Sequence, residues 1–266
     1  MAFYEFGPGR QREVAESTNT VDVDVLHTGV DPLPVAEVRV TDGAAIPTGR
    51  AMLVADGAAA DLAASVFGLG AAGKLADVTI AGLASSGVGR VSLWAADGLV
   101  IVAAPHNAGA VVEEFGGTVA EAVAEACKPS CVVTLSTMDD LPSATMRLHA
   151  VPSSAASATP PAPLPAPLPS HCAIRGAAGA FLAEAEMRGT AACALVGRGP
   201  SREPHTALPL MVAALLGWEE SPGALEPAVR ALAPVLRGAE SAARVRSAAS
   251  KVASRVGAHW AGVLYT

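Results

Sequence analysis

Apolar and polar positions change rhythm along the chain in a way that predicts alternating strands and helices. VAEVRV (35–40) alternates apolar and polar residues, as a half-buried strand does. AMLVAD (51–56) is a continuous apolar run of strand length, and AAADLAASVF (58–67) reads as a helix closed by Gly68 and Gly70. DVTIAG (77–82) is a short strand. The clearest local signal follows: RVSLWAA (90–96), then Asp97-Gly98, then LVIVAA (99–104). Asp-Gly supplies the two positive φ values of a type I′ turn, so this stretch predicts a β-hairpin. Asn107 is placed to cap a helix running to about Cys127, weakened in its middle by Gly116-Gly117 and ended by Lys128-Pro129. CVVTLS (131–136) reads as a buried strand.

Val151–Ser170 then holds seven prolines, and PPAPLPAPLP (160–169) predicts an extended polyproline segment in an exposed loop. Beyond it, 176–189 reads as a helix ended by Gly189 and 190–197 as a strand. Residues 208–218, 222–238 and 239–257 read as three helices. One hairpin among alternating strands and helices predicts a mixed sheet covered by helices. The organisation is a weakly structured segment over 1–34, one α/β domain over 35–266 interrupted by the Pro-rich loop at 151–170, and a tail over 258–266.

Composition narrows the class. Alanine supplies 58 of 266 residues, hydrophobic residues 51% and charged residues 16%. Such a chain is too apolar for general disorder, and four cysteines are too few for a disulfide scaffold. The longest apolar stretch of note, Ala207–Trp218, falls short of the roughly 20 residues of a membrane span. The start carries no secretory signal, so a soluble intracellular protein is expected. The net charge of −7 argues against nucleic acid as a partner. It is unevenly spread: six bases and one acid between Pro227 and Trp260 give that stretch +5, leaving −12 for the rest. A solvated helix face and a docking face for an acidic partner both account for it.

Motifs for catalysis are scarce. GLGAAGK (68–74) fits most of a phosphate-binding loop but has Leu75 where a hydroxyl is needed, and it follows a helix rather than a strand. It is read as a helix stop and turn. Cys127, Cys131, Cys172 and Cys193 contain no C-x-x-C pair, and Cys131 and Cys193 read as small core residues. Asp139-Asp140 opens a loop and is explained by capping. A PxxP match at Pro160–Pro163 is compatible with a scaffold role, although a plain spacer accounts for it.

The tail is unusual. After Gly257 the chain runs His259-Trp-Ala-Gly-Val-Leu-Tyr-Thr266, apolar and aromatic, and carries one of only two tyrosines. Either it tucks onto the body, or it is a ligand tail whose apolar residue and Tyr ring fill a partner's pocket while the terminal carboxylate pairs with a lysine.

The ending Leu264-Tyr265-Thr266 resembles the hydrophobic–Tyr–any-residue tail of proteins that dock on the proteasome α-ring. The body resembles the proteasome assembly chaperone 1 family. The matching stretches are VAEVRV…GRAMLVADGAAADLAASVF (35–67), LVIVAAPHNAGAVVEEFGGTV…KPSCVVTLST (99–137), CAIRGAAGAFLAEAEMRGTAACALVG (172–197) and LEPAVRALAPVLRG (225–238). The resemblance leaves out the N-terminus and the Pro-rich insert. It implies an α/β fold: a three-layer α/β/α sandwich with a mixed sheet, resembling the nucleoside phosphorylase-like fold but without its active site. It implies a heterodimer with a second proteasome assembly chaperone, proteasome α-subunits as further partners, and promotion of 20S core α-ring assembly. Leu264 and Tyr265 would fill a pocket between α-subunits, with the Thr266 carboxylate facing a pocket lysine. It implies no turnover, no cofactor, no nucleic acid, no membrane, and a cytoplasmic or nuclear location. The rival is an α/β enzyme of similar architecture, a hydrolase or nucleotide-binding protein, which would show a concave pocket of convergent polar groups.

Overall fold

The computed structural model describes residues 34–70, 73–81, 90–96, 98–105, 108–138, 148–156, 168, 172–198 and 225–237. Eight strands build one sheet: β1 (Ala36–Val40), β2 (Ala51–Asp56), β3 (Lys74–Ile80), β4 (Val91–Ala96), β5 (Leu99–Ala104), β6 (Cys131–Met138), β7 (Leu148–Pro152) and β8 (Ala191–Arg198). The helices are α1 (Gly57–Val66), α2 (Gly109–Cys127), α3 (Gly176–Arg188) and α4 (Glu226–Arg237). The strand order is β1-β3-β4-β5-β2-β6-β8-β7. β5, β2, β6 and β8 run parallel, and antiparallel pairings flank them on both sides. The sheet is therefore mixed, as the pattern predicts.

The parallel strands sort their side chains by the two-residue period of the pleat. Ala51, Leu53 and Ala55 of β2 join Leu99, Ile101 and Ala103 of β5 in one core, which α1 and α4 cover through Ala59, Ala60, Ala63, Ala228, Val229 and Leu232. Met52 and Val54 join Val100, Val102 and Ala104 in a second core, which α2 and α3 cover through Val112, Val119, Val123, Ala177, Phe181 and Ala185. Being apolar on both faces is what makes 51–56 and 99–104 read as unbroken hydrophobic runs.

The predicted hairpin forms, with Ala96 paired to Leu99 across the turn and Gly98 at φ +82°. Gly68 (φ +60°) follows the Phe67 cap of α1, and Gly189 (φ +65°) closes α3. Lys128 takes the left-handed cap of α2 at φ +44°, ahead of Pro129. Four expectations need correction. β3 begins at Lys74 rather than Asp77, because the pairing with β4 extends to Lys74↔Trp94 past a register shift. The N-cap of α2 is Ala108, not Asn107, and it makes no side-chain cap bond. The break in α2 falls on Phe115 (φ −118°, ψ 16°), just before the glycine pair. β7 takes in Val151 and Pro152, the first two residues of the stretch read as an exposed Pro-rich loop at 151–170. It lies at the sheet edge, where Pro152 closes it without interrupting a ladder on both sides. The Ser153 hydroxyl then donates to Thr190 O (3.3 Å) and accepts from Ala192 N–H (2.8 Å), tying the end of β7 to β8. Farther along the Pro-rich stretch, Leu168 packs beside Ala194 and Val196 rather than standing in solvent. The helices read at 208–218 and 239–257 lie outside the described residues.

Small residues set the helix spacing. A Cβ on Gly116 of α2 would stand 3.1 Å from the Ala180 methyl of α3. A Cβ on Gly179 would stand 2.3 Å from the Ile174 carbonyl oxygen, a backbone clash no side-chain rotation relieves. Gly179→Ala is therefore expected to lower unfolding stability by about 1–3 kcal/mol through overpacking. Gly117→Ala, at a helical position with open space, should raise it by up to about 1 kcal/mol. Urea unfolding midpoints of the two variants check this opposition of sign.

A second expectation concerns acid. Asp77 on β3 accepts from Ser92 Oγ (2.5 Å) and pairs with Lys74 Nζ (2.6 Å), with Arg90 at 4.0 Å. Partial burial pushes its carboxyl up, but the Lys74 and Ser92 hydrogen bonds and the Lys74 and Arg90 charges outweigh that and hold it below 3.8. A depressed folded value means stability present above the unfolded value and lost as pH falls through the folded one. Asp77→Asn should remove that part of the acid-side slope below pH 3.8, a loss under about 1 kcal/mol for a partly exposed pair.

Candidate functional site

The tail residues Leu264, Tyr265 and Thr266 lie outside the described residues, so the site has to be sought on the body. Strand chemistry locates it. The parallel strands β5, β2 and β6 all end their C-termini on one side, and their following segments diverge there. β2 runs into α1 on one face of the sheet, and β5 runs toward α2 on the other. A crevice must open between two helices that leave neighbouring parallel strands toward opposite faces.

A cleft of about 510 Å³ occupies that position. Its floor carries Asp56 at the end of β2, Ala104 and Pro105 after β5, and Ser136–Met138 at the end of β6. Glu113 and Val112 of α2 form one wall, and Cys172, Ala173 and Arg175 lead into α3 on the other. Three helices begin at the cleft, and the first residue of each is a glycine that lines it: Gly57, Gly109 and Gly176. None of the three carries an acidic residue in its first turn or a side-chain cap from its own N-cap residue.

Asp56 organises the floor. It stands at the N-cap of α1 but reaches across to α3, where the Ala178 N–H donates to its carboxylate at 3.2 Å. Gly176 makes room for this: at φ +68°, a Cβ there would lie 3.0 Å from the carboxylate oxygen. The cap therefore joins two elements 122 residues apart in sequence. Sequence reading passed over Asp56 as the end of a strand. The signal available was the Asp-Gly step at a strand end, which is common in turns.

Other predicted chemistry resolves quietly. GLGAAGK does not lead into a helix: Lys74 opens β3 and pairs with Asp77, and Gly70 O accepts from Trp94 Nε1 (3.2 Å). Cys131 and Cys193 are fully buried, as expected, and Cys127 is too. Burial pushes the Cys127 thiol up to about 11 and, against a weaker opposing hydrogen bond from the Val151 backbone, Cys193 to about 12, so both are inert thiols near neutral pH. Among the described residues no group of three or more His, Cys, Asp or Glu side chains could hold a metal ion. Asp139-Asp140 lies outside the described residues. No helix among those described is long and apolar enough to cross a membrane.

Removing the Asp56 carboxylate should cost about as much as losing a helix cap. Asp56→Ala is expected to lower stability by about 0.5–2 kcal/mol, and Asp56→Asn, which keeps an acceptor oxygen, by less. Chemical denaturation of both variants beside the parent measures the difference.

The sequence matches no protein-family model and no curated protein sequence. The structure is similar to Pyrococcus furiosus PbaA, an archaeal homolog of proteasome-assembly chaperone, at 13% identity and a TM-score of 0.46, covering 83% of this chain and 99% of that one. A monoclinic form of the same protein gives 13% identity and 0.49, covering 87% and 100%. It is also similar to Pyrococcus furiosus PbaB, an archaeal proteasome activator, at 15% identity and 0.43, covering 86% and 98%. At these identities and TM-scores the likenesses leave function to be argued from the chain itself.

Proposed function

We propose that this chain is a proteasome assembly chaperone subunit that promotes 20S core α-ring assembly as a heterodimer with a second assembly chaperone. The observation that carries the reading is the tail: a hydrophobic residue, a tyrosine and a last residue, Leu264-Tyr265-Thr266, following an α/β body of 35–266. An apolar side chain and a phenol ring are suited to fill a pocket, and a terminal carboxylate is suited to a lysine at its end. The division of apolar side chains between two cores on opposite faces supports a three-layer α/β/α body of the nucleoside phosphorylase-like kind. The reading assigns the chain no turnover and no cofactor, and places it in the cytoplasm or nucleus.

The rival enzyme reading asks for a nucleophile with its base. Among the described residues of its lining, the cleft holds one thiol, Cys172, and no histidine. The chaperone reading has the opposite demand, a free chain end, so it also requires Thr266 to be the last residue of the native protein. Intact mass of the native protein checks that requirement.

The decisive experiment is a pull-down from native extract with the intact chain and with a chain lacking Leu264-Tyr265-Thr266. The expected result is recovery of 20S α-subunits by the intact bait, loss of most of that recovery from the truncated one, and retention of a second chaperone by both. Recovery of no α-subunits by either bait would overturn the reading.

A further inference from the structure

The cleft carries features that protein–protein docking through a tail does not use. Three helix N-termini converge on it, each opened by a glycine, and the Asp56 carboxylate already takes the Ala178 N–H at the start of α3. That arrangement is suited to the close approach of an anion. A helix end alone proves little, since water satisfies most of them. The side chains of β6 add an independent observation. Ser136 lines the cleft, is 4% exposed, and its hydroxyl makes no hydrogen bond among the described residues. Ser136 is two residues beyond Thr134, hence on the same face of the strand, and Thr134 is fully buried with its Oγ1 unpartnered. Buried hydroxyls are nearly always paired, and leaving one unpaired costs about 1–3 kcal/mol. Thr134 is the buried unpartnered hydroxyl, and Ser136, on the same strand face, is where that face meets the cavity and a polar ligand would reach it.

Charge selects the ligand. Among the described residues the lining holds two carboxylates, Asp56 and Glu113, and one guanidinium, Arg175. Asp56 is matched by the N-terminus of α3. Each helix N-terminus contributes roughly half a positive charge, so three of them with Arg175 exceed the two carboxylates by roughly half a charge. The described lining groups therefore favour one anionic group. Its volume, about 510 Å³, is that of a small-metabolite pocket.

We propose that the cleft between the N-termini of α1, α2 and α3 binds a small molecule bearing a single phosphate or carboxylate group, held by the Ser136 hydroxyl, the glycine-opened helix ends and Arg175. The site is a binding site and involves no covalent step. It does not depend on the chaperone reading.

The test titrates the ¹⁵N-labelled full chain, alone or with whatever partner co-purifies, with inorganic phosphate and separately with acetate. Saturable amide shifts centred on Gly57, Gly109, Ser136, Thr137 and Gly176 are expected with at least one probe, and the better probe identifies the group. Ser136→Ala should weaken the apparent Kd about tenfold by removing a hydrogen bond to a charged oxygen. Arg175→Gln, at an exposed position that cannot unfold the chain, should weaken it several-fold. Absence of saturable shifts at these amides at about tenfold above a millimolar Kd would overturn the proposal. So would shifts that persist unchanged in both variants. α-Subunit capture by the intact chain is expected to be the same whichever way this titration comes out.

Discussion

The rest of the structure depends on β2. It is paired in parallel on both sides, to β5 and to β6, and its first five residues are buried. Because its side chains alternate, Ala51, Leu53 and Ala55 feed one core while Met52 and Val54 feed the other. Both cores therefore share one backbone. Its sixth residue, Asp56, leaves the sheet and caps α3. A single six-residue strand thus sets the layer order, the helix positions and the floor of the cleft.

Alanine and glycine make that packing close. Ala59, Ala60 and Ala63 bring α1 down onto the sheet, and Gly116 facing Ala180 brings α2 and α3 together. An alanine-rich chain buries less apolar area per side chain than a leucine-rich one, so its stability leans on short distances between backbones. Those distances also bring three helix starts around one small cavity. The high alanine content and the cleft have the same cause: helices that sit close enough for their ends to share a space.

The buried polar groups divide by location. On the antiparallel side, Asp77 is answered by Lys74, Ser92 and Arg90. At the β7 edge, Ser153 is answered by backbone on both sides. On the face of β6 that leads to the cleft, the Thr134 hydroxyl is the buried side-chain polar atom left unanswered among the described residues. The one buried polar mismatch among the described residues thus falls on the strand face that continues, through Ser136, to the cleft.

By itself the sequence determined the elements whose signals are local. The Asp97-Gly98 hairpin, the apolar runs of β2, β5 and β6, and the Gly189 stop are set by φ preferences and by burial on both faces, which any short window of sequence displays. A mixed sheet with helices follows from them. The strand β7 was not legible, because an edge strand needs only one partner and Pro152 disguises it as loop. The candidate site was not legible either. Asp56, Gly109, Ser136, Arg175 and Gly176 are spread over 120 residues and match no spacing rule. Each looks like an ordinary strand end or helix start. Only the tertiary structure decided that these ends meet, because the parallel pairing of β5, β2 and β6 carries their C-termini to one side while the helices depart to opposite faces.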